Sequence, residues 1–222
     1  PILLDIPMDV QKQVINYDEK SIQKIQFQQN FNEQDIRKKI KNFLHDLASS
    51  KRPVVLAGGG VRTSNAILEF QNLFEKLGIP CYPTWNAIDI VTSDFKNYCG
   101  RVGTYGGAGR NFGIQNADLL LTIGSRLSGR ITGGNVKSFS RNSKKYMVDI
   151  DEHNLVTEWQ EVPFDINIHS DAKLFLSLLN EETSNYIKKK SHESWLKTCI
   201  DWKLKYDPVK NDHYKDKSNN IH

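Results

Sequence analysis

The chain has 222 residues, 38% hydrophobic and 25% charged, with a formal net charge of +4. This leaves room for one good-sized core, or one domain with appendages, in an ordinary globular composition. The basic excess sits in stretches such as Ile187-Lys188-Lys189-Lys190 and Lys203-Leu204-Lys205, with no interleaved aromatics. Those read as solvated helix faces and argue against a nucleic-acid partner. No apolar run is long enough to cross a bilayer and no signal peptide is recognisable, so no membrane partner is expected. Cys81, Cys99 and Cys199 have neither zinc-ligand nor redox spacing, and a reduced, cytoplasmic protein is the simplest reading.

In chain order, Ile2 to Ile6 is an apolar run closed by Pro7, read as a strand already under way and hence as a cut inside a longer protein. Gln11 to Asn32 is polar and aperiodic and reads as a linker. Asn32 then caps an expected helix whose Ile36, Ile40, Phe43, Leu44 and Leu47 share one face. Pro53 to Ala57 is a strand bounded by Gly58-Gly59-Gly60, and Thr63 or Ser64 is expected to cap the helix carrying Phe70, Leu73 and Phe74, which Gly78 ends. Ile79 to Thr84 is a short strand, and a glycine-rich stretch from Arg101 leads into a helix near Asn111 to Asn116. Three more strands are expected at Asp118 to Gly124, Lys145 to Asp151 and Phe164 to His169. Asp171 starts a helix through Phe175 and Leu179, and Trp195, Cys199, Trp202 and Tyr206 lie at helical spacing in the tail. Short apolar strands alternating with amphipathic helices predict a parallel sheet covered on both faces, with ligands bound at the carboxyl ends of its strands.

Three groups there are candidates for binding. Gly58-Gly59-Gly60 lies between a strand and a helix, where the backbone can approach a phosphate; a tight turn that binds nothing reads equally well. Arg126 and Arg130 leave the strongest strand together and suit a pyrophosphate, or else surface salt bridges. Asp149 and Asp151 end a strand where an acid accepts ribose hydroxyls; alternatively Asp151 only caps the next helix and Asp149 pairs with a lysine. No histidine has a metal-ligand partner, and no serine or thiol lies in a catalytic context, so neither a catalytic residue nor a metal site is expected.

Arg52-Pro53-Val54-Val55-Leu56-Ala57-Gly58-Gly59-Gly60-Val61, Ala117 to Arg126 with Gly129-Arg130-Ile131-Thr132-Gly133, and Val148-Asp149-Ile150-Asp151 resemble, in order, the signatures of the central domain of thiamine diphosphate-dependent enzymes of the acetolactate synthase type. Pro1 to Gln11 resembles the last strand of the pyrimidine-binding domain that precedes it. The resemblance implies a three-layer α/β/α, Rossmann-like domain (the DHS-like NAD/FAD-binding type) with a six-stranded parallel sheet. It implies boundaries at 1–15 (end of the pyrimidine-binding domain), 16–32 (linker), 33–182 (central domain) and 183–222 (linker toward the diphosphate-binding domain). It further implies thiamine diphosphate and Mg2+ in the full-length enzyme but not in this segment, and FAD or ADP in the central groove. The pyrimidine- and diphosphate-binding domains of the same chain are the implied partners, in a homo-oligomer. The parent would decarboxylate a 2-keto acid and transfer the aldehyde. The alternative is a thiamine enzyme of surface-sugar synthesis, or a simple decarboxylase, whose middle domain is a brace with an empty groove. The flavin contacts of the family match at Gly58, Gly59, Gly60, Thr84, Gly103, Gly124, Arg126, Arg130, Asp149, Ile150, Asn154 and Asp171. The departures are Trp85-Asn86 for Leu-Met, Ser128 for an acid between the arginines, and Ser170 for a glycine.

Overall fold

The computed structural model describes residues 3–17, 30–104, 106–156, 158, 160–183 and 191–207. Ile2, most of the expected 16–32 linker, the Ile187–Lys190 stretch and residues 208–222 lie outside the described residues. The chain divides into two compact units, Pro1–Asn30 and Phe31–His222.

In the first unit the expected strand does not form. Leu3 to Ile6 join no ladder among the described residues, and Leu3 and Leu4 are 93% and 77% exposed. A strand needs a neighbour for its N–H and C=O groups, and none is described here. Pro7 instead precedes a single helical turn, α1 (Met8–Gln11), where its missing N–H costs nothing, and Gln11 reaches back to the Ile6 carbonyl at 2.6 Å.

The second unit is a three-layer α/β domain around a parallel sheet of five described strands, β1 (Pro53–Ala57), β2 (Cys81–Pro83), β3 (Leu119–Ile123), β4 (Lys144–Asp149) and β5 (Ile166–His169), in the order β2-β1-β3-β4-β5. The expected count of six is corrected to five. Where an outer neighbour of β2 would lie, pairing is reduced to one parallel bridge, Cys81 with Tyr98. Asn97 beside it is fully buried, its side chain donating to the Phe74 and Ile79 carbonyls at 2.6 and 3.0 Å. That amide ties the segment to the end of a helix instead of extending it along the sheet.

Side chains alternate across the strands, so each layer has its own core. Val55, Ala57, Leu121, Tyr146 and Val148 face α2 (Glu33–Ser49), α4 (Ile67–Leu77) and α7 (Ala172–Thr183). Val54, Leu56, Leu120 and Met147 face α5 (Ala108–Gln115) and α8 (Glu193–Lys205), whose Trp195, Leu196 and Cys199 are buried against them. Asn32 caps α2 as expected, accepting the Asp35 N–H at 3.1 Å, and the five expected face residues are the buried ones.

The helix after β1 departs from expectation. Asn65 turns into the left-handed region (φ 55°), splitting it into a one-turn α3 (Gly60–Thr63) and α4. Neither Thr63 nor Ser64 caps α4; their hydroxyls donate to the Gly59 and Val61 carbonyls. The cap position of α4 falls to Ala66.

Asp118, just ahead of β3, sets the register between β1 and β3. Its carboxylate accepts the Ser50 hydroxyl at 2.5 Å and the Lys51 and Arg52 N–H groups at 2.8 and 2.9 Å. Burial works against its charge, yet these bonds outweigh burial and hold the carboxyl below its ordinary range. Asp118→Ala is expected to cost about 2 kcal/mol at neutral pH. A depressed folded pKa means this contribution is complete above the unfolded carboxyl value and lost as pH falls through the folded one. Urea melts of both proteins should therefore converge toward acid; a gap that does not narrow would deny the carboxylate this role.

Candidate functional site

The chain passes from β1 to β2 through α4 on one face, then from β2 to β3, back across β1, through α5 on the other face. The two connections diverge at the carboxyl ends of β1 and β3. Doubly wound sheets open a crevice at such a switch point. Here a cleft of about 520 Å3 opens there, lined from the loops after β1, β2 and β3 and from the segment that starts at Arg101.

Glycine makes the loops fit. Gly58 N–H donates to the Ile123 carbonyl at 2.8 Å, and Gly60 N–H to the Gly124 carbonyl at 3.1 Å. A methyl group on Gly58 would overlap the Gly124 carbonyl and lie 2.5 Å from Ser125 Cβ; one on Gly60 would lie 2.7 Å from Gly124 Cα. Gly124 itself has φ +63°. Gly58 and Gly60 serve the turn and the loop contact, while Gly59 and Gly60 line the cleft.

Three arginines, Arg101, Arg126 and Arg130, line the cleft, and no aspartate or glutamate does among the described residues. Arg126 and Arg130 are exposed and form no ion pair among the described residues. Arg62, by contrast, is held by Asp89 and donates to the Asn86 carbonyl at 2.8 Å. Leu127, between the cleft residues Arg126 and Ser128, is 1% exposed with φ 52°. A left-handed leucine is strained; burial of its side chain in the core holds the turn and leaves its exposed neighbours on the rim.

The expected residues Thr84, Gly103, Gly124, Arg126 and Arg130 line this cleft with Gly59 and Gly60. Asn111 brackets Gly103, accepting its N–H at 3.1 Å and donating to its carbonyl at 3.2 Å, and the Arg130 carbonyl accepts the Thr104 N–H at 2.8 Å. Asp149, Ile150, Asn154 and Asp171 do not line it. Asp149 is buried and accepts the Asp151 N–H at 2.9 Å and the Asn154 amide at 3.3 Å, which ends β4 two residues before its expected end. Asp151 accepts the His153 N–H at 3.0 Å as the cap of a short 3-10 turn. Asp171 accepts the N–H groups of Lys173 and Leu174 and so caps α7. Ile150 is 45% exposed. Asn154 belongs to a second cleft of about 340 Å3 that shares Arg126, Leu127 and Ser128 with the first.

Sequence reasoning missed the part played by Arg101. Its guanidinium carbon stands 4.6 Å over the Trp85 ring, and both residues line the main cleft. No sequence pattern links the two. All three cysteines are free and buried, and burial pushes the thiols of Cys81 and Cys99 up, away from the reactive thiolate. Among the described residues no group of three or more His, Cys, Asp or Glu could hold a metal ion, and no helix is long and apolar enough to cross a membrane.

A parallel sheet flanked by helices, with an arginine-lined cleft at its switch point, defines a doubly wound three-layer α/β domain. Residues 40–179 match the family model described as thiamine pyrophosphate enzyme, central domain, and the chain belongs to that family. It is 34% identical over 196 residues to a probable acetolactate synthase large subunit of Methanococcus aeolicus, covering 87% of this chain and 32% of that protein. It is 28% identical over 217 residues to the acetolactate synthase large subunit of Lactococcus lactis, covering 96% and 36%. It is 29% identical over 198 residues to acetolactate synthase 1, chloroplastic, of Zea mays, covering 88% and 30%. The chain spans about a third of the length of the curated relatives it matches.

Proposed function

We propose that this segment is the nucleotide-binding central domain of an acetolactate synthase-type enzyme, and that its cleft holds the diphosphate of FAD or ADP. The observation that carries the reading is the set of three arginines with no acid in the lining among the described residues, beside loops closed by Gly58, Gly60 and Gly124. Guanidinium forks suit phosphate oxygens, and the cleft volume lies in the range of small-molecule sites. The residues present thus fit a diphosphate. Gly59, Gly60, Thr84, Gly103 and Gly124 would border it, with Arg126 and Arg130 as the clamp. In the FAD reading, Asp149, Ile150, Asn154 and Asp171 would take the adenosine end.

In the whole protein, the pyrimidine- and diphosphate-binding domains would supply the thiamine diphosphate and Mg2+ sites. The bound thiamine cofactor would supply decarboxylation of a 2-keto acid and transfer of the aldehyde. This segment contributes no group to that step; it binds a nucleotide and spaces its neighbours, in a cytoplasmic homo-oligomer. The relatives' printed names and the match over most of this chain support the acetolactate synthase-type assignment.

Isothermal titration with FAD and ADP tests it. Binding is expected, and Arg126→Ala should weaken it by roughly 1.5–3 kcal/mol, the worth of a charged hydrogen bond. Silence with both nucleotides would leave the domain as a brace with an empty groove, and an unchanged affinity in the variant would remove Arg126 from the clamp.

A further inference from the structure

Beneath α8, away from the cleft, the fold gathers three polar side chains in an apolar layer. Tyr82 on β2, Cys99 just after the bridge between Cys81 and Tyr98, and Cys199 on α8 belong to the same core and are fully buried. The Tyr82 hydroxyl has no hydrogen-bond partner among the described residues. It fits because Gly113 of α5 has no side chain; a methyl group there would overlap it. The thiols lie within reach of the phenol and of each other. Burial first, then Cys99 and Cys199, push the phenol up, and burial first, then Cys199, pushes the Cys99 thiol up.

The docking of α8 holds the two sulfurs in this register. Lys203, one turn beyond Cys199 on the same helix face, donates to the Tyr98 carbonyl at 3.0 Å, next to Cys99. Cys99 itself donates to the Asn97 carbonyl at 3.4 Å. Thiols are weak hydrogen-bonding groups, so a buried hydroxyl with two of them beside it gains little as a polar network. Two thiols brought together from positions about 100 residues apart can instead be joined to each other.

We propose that Cys99 and Cys199 are a modification site, a dithiol that exchange with a small-molecule disulfide converts to a crosslink fastening α8 to the border of the sheet. While α8 is docked, burial keeps the reagent away from both sulfurs. When α8 opens, one thiol loses its proton and attacks the small disulfide, giving a mixed disulfide and one small thiolate. On redocking, the second cysteine thiolate attacks the protein-bound sulfur and expels the other small thiolate. Two cysteines are thereby oxidised, one small disulfide is reduced to two thiols, and the two protons pass to the leaving thiolates.

Incubation of the 222-residue chain with oxidised glutathione tests this by mass spectrometry. The chain is expected to lose two hydrogens, and a non-reducing peptide map should join Cys99 to Cys199. Cys81→Ala should crosslink as the parent does, whereas Cys99→Ala and Cys199→Ala should form no crosslink. Oxidation should raise the melting temperature by at least about 5 °C, and dithiothreitol should reverse the rise, because the bond closes a long loop in the unfolded chain. Trp195→Ala, which loosens α8, should crosslink about tenfold or more faster than the parent. A crosslink through Cys81, a stable glutathione adduct in place of the crosslink, or no reaction even in Trp195→Ala would overturn the pairing. A lower melting temperature after oxidation would overturn it too, since the bond would then form only by distorting the docked helix. Equal rates in the parent and Trp195→Ala would overturn the gating by α8.

Discussion

Trp195→Ala is expected to lower stability by about 3–5 kcal/mol, the cost of emptying a large aromatic site. The residue is 6% exposed on α8, and its indole N–H donates to the Pro53 carbonyl at 3.1 Å, at the start of β1. Its ring meets Trp202 edge to face at 5.7 Å, and Trp202 in turn meets Phe112 on α5 at 5.8 Å. The two helices pack closely because Gly109 has no side chain: a methyl group there would overlap the Trp202 carbonyl. Truncation removes a packed ring and leaves a buried carbonyl unmet. The check is the midpoint of urea unfolding; a midpoint equal to the parent's would mean that α8 lies outside the cooperative unit.

Gly58→Ala is expected to cost at least about 3 kcal/mol, at the upper end of overpacking effects, because the obstacle is backbone with nowhere to move. The new methyl group would collide with Gly124 and Ser125, and either β1 or β3 would have to shift. The cleft should be lost with the contact, so pyrophosphate binding should disappear even where the chain still folds. Gly129→Ala is the control, since a methyl group there meets nothing within 4 Å. Equal melting temperatures for the two variants would refute the steric account.

Why these residues were readable, and others not, follows from how local each cause is. Strands buried on both faces must be continuously apolar, so β1 and β3 show in Pro53 to Ala57 and Leu119 to Ile123. The face of α2 shows because its five buried residues recur at helical spacing. The break before α4 does not show, because it rests on the left-handed turn of Asn65 and on two hydroxyls bonding locally. The opening run has strand composition, but composition supplies no partner strand. In the cleft, the glycines and the arginine pair were legible from their place after β1 and β3. The use of Asp149 was not, since its acceptors serve a neighbouring N–H and an amide rather than a lysine. The stacking of Arg101 on Trp85 was not either, because it joins two loops distant in sequence.

The border of the sheet at β2 also bears on self-association. An outermost strand with open N–H and C=O groups invites another chain to pair with it. In β2, however, Cys81 already gives its N–H to the Asn97 carbonyl at 2.8 Å and accepts the Cys99 N–H at 3.0 Å, and Pro83 has no N–H to offer. A border sealed in this way by the molecule's own backbone resists fibril-like stacking on that side without charged gatekeeper residues.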